Sequence, residues 1–293
     1  MITEGNEMDD VKAIFLDMDG TLLHENNQVS LYTKEVIDQL RTQGYKVFLA
    51  TGRSHDEIHY LVPEHFEVDG IISSNGTLGH TLEGVLFKHT LSQAQVLDLV
   101  QRAKADGIYY EVFPFEGDRI VLNEDRQWIE AMIEGETPPN QVSESEWLSR
   151  KDALNGKINW QDEFSGDGYS KIYLFAPDYD KISDFRKQLQ QNQDTLRISV
   201  SNSSRYNAET MAYGIDKGSG IKEMIEHFGI EQHETLVIGD SDNDRAMFNF
   251  GHYTVAMKNA RPEVQALAKD ITSLTNEEDG AAKYLAQNLL GEK

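Results

Sequence analysis

Three short apolar runs near the start of the chain, each followed by polar residues, constrain the fold more than any other feature of the sequence. Residues 11–16, 45–50 and 70–74 are rich in β-branched and aromatic side chains, and residues 33–43 and 54–61 between them have helical patterns. A strand–helix–strand–helix–strand order is typical of a parallel sheet with crossover helices. The sequence therefore predicts an α/β core.

The same alternation returns near the end of the chain. Residues 218–228 have an amphipathic helical pattern, and residues 235–238 and 253–256 are predicted to be strands. Because both ends of the chain have this pattern, we expect them to build one Rossmann-like, doubly wound parallel sheet. This core would consist of residues 1–86 and 204–293.

The middle of the chain, residues 87–203, has a different pattern. Helical stretches at 92–106 and 180–192 alternate with predicted strands, one of which is at 195–200. At 293 residues the chain is also longer than a single core usually grows. The middle is therefore predicted to be a separate α+β domain, inserted into the α/β core.

The composition argues against several classes of protein. A net charge of −23 disfavours general binding to nucleic acids or anionic membranes, because such binding needs clustered Lys and Arg. No apolar run approaches the roughly 18 residues of a membrane span, and the first ten residues lack the basic region of a signal peptide. The lack of cysteine excludes disulfides and thiolate metal sites and fits a reducing cytoplasm. We expect a cytoplasmic protein, a monomer or weak homodimer, that acts on a small molecule.

Polar side chains follow the predicted strands at the point where each strand ends. Because ligands of an open parallel sheet bind at the carboxyl ends of its strands, we expect these side chains to converge. Two acids, a hydroxyl, an amide, further acids and a lysine are the groups that phosphoryl transfer to a carboxylate with Mg²⁺ requires. The residues are Asp17 and Asp19, Thr51, Asn75, and Asp240, Asn243 and Asp244, with Lys217 at the start of a predicted helix.

Each of these motifs has an ordinary structural interpretation when it is taken alone. Asp-x-Asp-Gly is a common turn, Thr-Gly-Arg after a strand can cap the next helix, and Lys217 can be a solvated surface residue. A calcium loop that starts at Asp240 is excluded, because the chain has Arg245 where the loop needs glycine and Gly251 where it needs an acid. The chemical interpretation depends on the motifs occurring together.

Together the motifs resemble those of the haloacid dehalogenase (HAD) superfamily. Its four motifs look like Asp17-Met18-Asp19-Gly20-Thr21-Leu22, Ala50-Thr51-Gly52-Arg53, Lys217-Gly218 and Gly239-Asp240-Ser241-Asp242-Asn243-Asp244, in the family's order. The turn Ser73-Ser74-Asn75-Gly76 looks like the Asn-Gly turn of the Cof-type subgroup. The stretch before Lys217 lacks a proline that is often seen in that subgroup.

The spacing of the motifs resembles one type within the superfamily. Only 31 residues separate Asp19 from Thr51, whereas 141 residues separate Asn75 from Lys217. The first interval holds one helix and one strand, and the second has room for a whole domain. This is similar to Cof-type subfamily IIB, whose members carry a C2 cap between the second and third motifs.

The resemblance implies a phosphatase that works through an aspartyl-phosphate. Asp17 would be the nucleophile, and Asp19 would protonate the leaving oxygen and then deprotonate water. Mg²⁺ would be bound by the Asp17 carboxylate, the Asp19 main-chain carbonyl and Asp240. Lys217, also a catalytic residue, would bind the phosphoryl group together with Thr51, Gly52 and Asn243. Asp244 and Asn75 would support these residues, with Asp244 orienting either Lys217 or a metal-bound water.

The implied substrate is a small phosphorylated metabolite, such as a sugar phosphate or a phosphorylated cofactor or nucleotide, selected by the inserted domain. Asp19 favours a phosphatase over a dehalogenase, which needs no acid at that position. A phosphomutase of the same superfamily is the main alternative. A non-catalytic phosphate-binding regulator has little support, because every acid, metal and lysine position is filled.

Overall fold

The computed structural model describes residues 8–139, 141–166 and 168–291, which form two compact units. The core unit consists of the described residues up to Lys88 and from Ile215 onwards, and the inserted unit of His89–Gly214. The inserted unit thus ends at Gly214 and not at residue 203. The reason is a strand at Asn207–Ala212, for which the sequence analysis had no prediction and which pairs within the sheet of the inserted unit.

The first half of the core unit alternates strands and helices as predicted and then adds a hairpin. Ser30 caps the first helix by accepting a hydrogen bond from the Thr33 amide at 3.0 Å, and that helix buries Val36, Ile37 and Leu40. In chain order the elements are β1 Ala13–Leu16, α1 Leu31–Thr42, β2 Lys46–Ala50, α2 His55–Ile58, β3 Gly70–Ser73, a 3₁₀ turn at Ser74–Gly76, β4 Leu78–Thr81 and β5 Gly84–Lys88.

The inserted unit has five helices and six strands among its described residues. Helices occur at the predicted positions near 92–106 and 180–192, but the strand predicted at 195–200 begins only at Ile198, after a short helix. The elements are α3 Gln93–Ala105, β6 Tyr109–Phe113, β7 Arg119–Leu122, α4 Arg126–Met132, α5 Glu144–Asp152, β8 Ile158–Gln161, β9 Lys171–Phe175, α6 Tyr179–Gln191, α7 Gln193–Leu196, β10 Ile198–Ser201 and β11 Asn207–Ala212.

The second half of the core unit returns to strands and crossover helices. The Asp216 carboxylate caps the first of these helices by accepting from the Ser219 amide at 2.8 Å, and Gly229 ends it in the left-handed conformation. The elements are α8 Lys217–Phe228, β12 Thr235–Gly239, a 3₁₀ turn at Asp242–Asp244, α9 Arg245–Phe250, β13 Tyr253–Ala256, α10 Pro262–Gln265, β14 Asp270–Ile271 and α11 Gly280–Leu285, which a π-helical turn extends to Leu290.

The core unit is organised around an eight-stranded sheet in the order β14–β13–β12–β1–β2–β3–β4–β5. The strands from β14 to β3 are parallel, and β4 and β5 extend the sheet as an antiparallel hairpin that the sequence analysis did not predict. Strand β1 is fully buried and pairs with β2 on one side and β12 on the other, so the two halves of the chain meet there. The predicted Rossmann-like α/β core is confirmed.

The inserted unit has its own six-stranded sheet, in the order β10–β11–β9–β6–β7–β8. All of its pairings are antiparallel except that of β7 with β8. It also has its own hydrophobic core, which includes Val96, Tyr110, Ile172 and Leu174. Among the described residues of both units, no helix combines the length and the apolar character needed to cross a membrane.

Candidate active site

Lys217 and Asp17 meet at the carboxyl end of β1, in the middle of the core sheet. Asp17 directly follows β1, and its amide donates to the Ile238 carbonyl of β12 at 3.0 Å. Lys217 is the first residue of α8, where Asp216 fixes the start of the helix. The Lys217 ammonium is fully buried and donates to Asp17 Oδ1 at 2.6 Å. Such a charge-assisted hydrogen bond away from water is stronger than one between neutral groups.

Asp244 is the second acceptor of the Lys217 ammonium. Its Oδ1 accepts from Lys217 Nζ at 2.7 Å, and both side chains are fully buried. Its Oδ2 accepts from the main-chain amides of Asp240 and Ser241 at 2.9 and 3.0 Å. Asp244 therefore ties the loop after β12 to the lysine at the start of α8.

Asp240 joins these two acids in a cluster that fits a metal ion. Carboxylate oxygens of Asp17, Asp240 and Asp244 all lie within 4.8 Å of one another. Burial raises the pKa of Asp17 to about 7, and the charge of Asp244 adds to that effect although Lys217 opposes it. Burial and the charge of Asp17 also raise the pKa of Asp240. Carboxylate oxygens are the ligands that hard divalent cations prefer. A bound cation would offset the repulsion between the negative charges of these acids.

Gly20 allows the loop after β1 to approach Asp240 closely. Its φ of +72° lies in the left-handed region, and a Cβ at this position would come 2.3 Å from Asp240 Oδ2. The next residue, Thr21, donates from its hydroxyl to Asp240 Oδ1 at 3.3 Å. Any larger residue at position 20 would therefore strain the backbone and push Asp240 away.

Four further predicted site residues contact one another next to the turn that carries Asp244: Thr51, Gly52, Asn75 and Asn243. The main-chain N–H of Asn75 donates to the main-chain carbonyl of Thr51 at 3.0 Å, and the side-chain Nδ2 of Asn243 donates to Asn75 Oδ1 at 3.2 Å. A Cβ on Gly52 would lie 3.1 Å from Asn75 Oδ1. Three separate loops of the core unit thus meet through small and amide side chains.

Asp19 has a different environment from the other predicted acids. Its side chain is 54% exposed and contacts the Arg53 guanidinium through both carboxylate oxygens. The Asp19 side chain is therefore not part of the buried group of three that Asp17 and Asp244 form with Lys217.

The family model for haloacid dehalogenase-like hydrolases matches residues 14–285. The chain belongs to this family.

Several relatives of similar length to this hydrolase are phosphatases by name. It is 28% identical to phosphatase YwpJ of Bacillus subtilis (strain 168), covering 96% of this chain and 100% of that protein. It is 24% identical to the 5-amino-6-(5-phospho-D-ribitylamino)uracil phosphatase YwtE of the same organism, covering 96% and 99%. A solved structure of the HAD subclass IIB sugar phosphatase BT4131 superimposes with a TM-score of 0.72 at 23% identity, covering 94% of this chain and 98% of that chain.

The family match confirms the resemblance that the four motifs suggest. Together with the named relatives it also confirms the predicted enzyme class, a HAD phosphatase, and the match to the subclass IIB structure shows that the two chains share a fold. The residues matched extend across both units, from the second residue of β1 into α11.

The sequence analysis assigned no role to one residue of this hydrolase that contacts the predicted site. Arg53 appears there only as the last residue of Thr51-Gly52-Arg53, yet its side chain is the direct partner of Asp19. The available signal was its place directly after β2, because residues there lie at the same sheet edge as those after β1.

Proposed function

We propose that this hydrolase is a Mg²⁺-dependent phosphatase that cleaves phosphate monoesters of small metabolites through an aspartyl-phosphate on Asp17. The observation that carries the proposal is the buried Lys217 ammonium held between Asp17 and Asp244, 2.6 and 2.7 Å away, next to Asp240. The lysine supplies a positive charge at the strand ends of an α/β sheet, where the ligands of such sheets bind.

The oxygen ligands proposed for Mg²⁺ are the Asp17 and Asp240 carboxylates and the main-chain carbonyl of Asp19. When bound, the ion would offset the repulsion between the Asp17 carboxylate and the phosphate dianion. Asp244 is proposed to orient Lys217 and not to bind a metal-bound water, because Lys217 and two main-chain amides already engage its two oxygens.

Asp17 is the proposed nucleophile. Its carboxylate oxygen forms a bond to phosphorus while the bond between phosphorus and the ester oxygen breaks. Lys217 is positively charged and within hydrogen-bond distance of Asp17, so it neutralises charge on the nucleophile and on the transferring group. The Thr51 hydroxyl, the Gly52 amide and the Asn243 side chain are the proposed donors to the phosphoryl oxygens, with Asn75 supporting Asn243.

Asp19 is the proposed proton donor and acceptor. In the first step its carboxyl proton passes to the ester oxygen, and the alcohol leaves neutral. In the second step water attacks phosphorus, the bond from phosphorus to Asp17 breaks, and the Asp19 carboxylate takes a proton from that water. Inorganic phosphate is released and both aspartates return to their first state.

The proposed substrates are sugar phosphates or phosphorylated cofactors and nucleotides, selected by the inserted unit acting as a cap. Two relatives support this class, since one is named for a phosphorylated ribitylaminouracil and another is a sugar phosphatase. A phosphomutase is the second candidate, because it would use the same aspartyl-phosphate. The cytoplasmic location and the monomer or weak homodimer inferred from the sequence stay predictions.

A panel of phosphorylated metabolites tests this function. We expect Mg²⁺-dependent release of inorganic phosphate, which chelator abolishes and which falls on the order of 10³-fold or more in Asp17→Ala. The control is Asp38→Ala, which removes a half-exposed carboxylate on α1 that pairs with Lys34. Phosphate release that survives Asp17→Ala or ignores chelator contradicts the mechanism. Conversion of a sugar phosphate to its isomer without phosphate release would favour the mutase.

A further inference from the structure

Arg53 makes a two-point contact with the proposed acid of the reaction. Its Nη2 donates to Asp19 Oδ1 at 2.6 Å, and its Nε donates to Oδ2 at 2.8 Å and more weakly to Oδ1 at 3.1 Å. Two parallel hydrogen bonds from one planar guanidinium fix the direction of a carboxylate as well as its distance. A lysine at this position could fix only the distance.

The backbone that carries Arg53 is itself held in place. Its amide donates to the Thr51 hydroxyl at 3.1 Å, and its carbonyl accepts from the Ser74 amide at 2.8 Å. At the far end of the side chain, Nη2 also donates to Asn27 Oδ1 at 3.3 Å. Arg53 is thus held by Thr51 after β2, by the turn after β3 and by the loop after β1, and only 26% of its side chain is exposed.

Asp19 needs such a partner more than the other acids of the site. Hydrogen bonds to Lys217 hold Asp17 and Asp244, which are buried, whereas the Asp19 side chain is 54% exposed. An exposed aspartate samples several rotamers, and proton transfer requires one of them. Displacement of a reacting group by about 1 Å can cost on the order of 100-fold in rate.

We infer that Arg53 is a positioning residue that holds the Asp19 carboxyl group in place for proton transfer to the leaving group. The inference rests on the proposed function above. Arg53 keeps its own protons throughout, because its guanidinium is always charged in proteins. Oδ1 receives two of the three hydrogen bonds, so Oδ2 is the oxygen better able to exchange a proton with the ester oxygen.

Aryl phosphates with different leaving groups test the inference. p-Nitrophenolate leaves readily without a proton, whereas phenolate is more basic and depends on the acid. The ratio kcat/KM reports only steps up to the departure of the phenol, so the later use of Asp19 as a base does not enter it. We expect Arg53→Ala to lower kcat/KM for phenyl phosphate about 10-fold or more beyond its effect on p-nitrophenyl phosphate. Arg53→Lys should fall between.

Two controls separate positioning from other roles. Arg245→Ala removes an arginine that pairs with Asp242 in the loop after β12, and it should leave the ratio of the two substrates unchanged. In an Asp19→Asn background, Arg53→Ala should change that ratio no further, because the group that it positions is gone.

Each result bears on one hypothesis. If the wild type with Mg²⁺ hydrolyses neither ester and releases no phosphate from the metabolite panel, the proposed function fails. If it hydrolyses both and Arg53→Ala lowers both equally, or if the selective loss persists in Asp19→Asn, the positioning inference is overturned and the proposed function stands. Should Arg53→Ala fail to fold, as judged by circular dichroism, the same comparison on Arg53→Lys decides, because an unchanged substrate ratio there also overturns the inference.

Discussion

Both units of this hydrolase bury charged side chains next to a sheet, but the charges balance differently. In the core unit, the carboxylates of Asp17, Asp240 and Asp244 cluster together, and one ammonium, that of Lys217, donates to two of them. In the inserted unit, the buried Glu111 carboxylate lies 3.0 Å from Arg119 and 3.1 Å from Arg150.

The inserted unit continues this balance across its sheet. Lys171 on β9 pairs with Glu209 on β11, and the Tyr109 hydroxyl donates to Glu111 at 2.6 Å. Glu111 lies directly opposite Tyr173, which lies opposite Glu209, so these residues share one face of the sheet. Protein groups of both signs thus surround one another on that face.

The difference distinguishes a structural network from a reactive one. A buried ion pair whose two charges both come from the same unit is neutral and needs no bound ion to balance it. In a cluster with more carboxylates than cations, the carboxylates repel one another until a cation binds. Titratable groups whose pKa values are shifted in this way are typical of functional sites. The places of the two sets of charges fit this distinction. The core cluster lies at strand ends, where ligands of α/β sheets bind, whereas the charges of the inserted unit lie along its strands.

The largest expected effect on stability comes from breaking the balanced network. Glu111→Gln removes the carboxylate that faces both Arg119 and Arg150 and leaves buried cations without their acid. Breaking a buried pair in this way costs about 3–5 kcal/mol. We expect the free energy of unfolding of the inserted unit to fall by that amount, in the presence or absence of Mg²⁺, when measured with urea.

The matched control is Glu130→Gln in the same unit. Glu130 forms a half-exposed ion pair with Arg126 one helical turn away, which is worth about 0.5 kcal/mol or less. A loss for Glu111→Gln as small as that for Glu130→Gln would contradict the structural role of the buried network.

A smaller effect should appear when the unbalanced cluster is neutralised. Asp240→Asn removes one of the carboxylates that repel Asp17, so the protein without metal should be no less stable than the wild type. Mg²⁺ should stabilise the wild type, by about 2.7 kcal/mol at a concentration 100 times its dissociation constant, and should not stabilise the variant. Thermal unfolding with Mg²⁺ and with chelator measures both quantities.

Asp242→Asn is the control for the metal experiment, because it lies in the same loop. Asp242 pairs with Arg245 and Arg261. Its variant should keep the full stabilisation by Mg²⁺. If Mg²⁺ stabilises Asp240→Asn as much as the wild type, the ion binds elsewhere.

The features that the sequence predicted well depend on local patterns. Strands β1, β2, β3 and β12 are apolar runs that end in a turn, and parallel pairing then brings Asp17, Thr51, Asn75 and Asp240 to one edge whatever the details of packing. Lys217 was predictable because its place at the start of α8 is fixed by the cap residue before it.

The features that the sequence did not predict depend on contacts between distant residues. The pairing of Arg53 with Asp19 needs the side-chain directions of two loops, which strand positions do not specify. The hairpin of β4 and β5 has a Gly84 with φ of +119° but lacks a strong alternating pattern. The charges of Glu111 and Glu209 lie inside strands, where the sequence pattern favours apolar residues, and only the facing residues explain their burial.

Glu146 in the inserted unit gives the smallest effect and tests the comparison through pH. Its Oε1 accepts from the Tyr173 and Ser204 hydroxyls at 2.7 and 2.8 Å, whereas its buried Oε2 has no hydrogen-bond partner in the part of the chain that the structure describes. Burial raises the pKa of this carboxyl group, although the two hydroxyls and the charge of Arg150 act in the opposite direction. Burial thus makes Glu146 a carboxylate whose neutral form is favoured, in contrast to Glu111, which contacts two arginines.

The sign of the pH effect follows from the direction of that shift. The folded protein holds the Glu146 proton more tightly than the unfolded chain, whose glutamates titrate near 4.3. As the pH rises from about 4 through the raised pKa, the unfolded chain loses its proton first, and the folded state loses stability relative to it. Glu146→Gln cannot titrate and still accepts hydrogen bonds from both hydroxyls through its amide oxygen, so its stability relative to the wild type should increase over this range and then level off.

Urea unfolding of both proteins between pH 4 and 7 measures the difference, with Glu144→Gln, an exposed position on the same helix, as the control that should show no such trend. A difference that stays flat or changes in the opposite direction would mean that the inserted unit compensates the Glu146 charge as completely as it does that of Glu111.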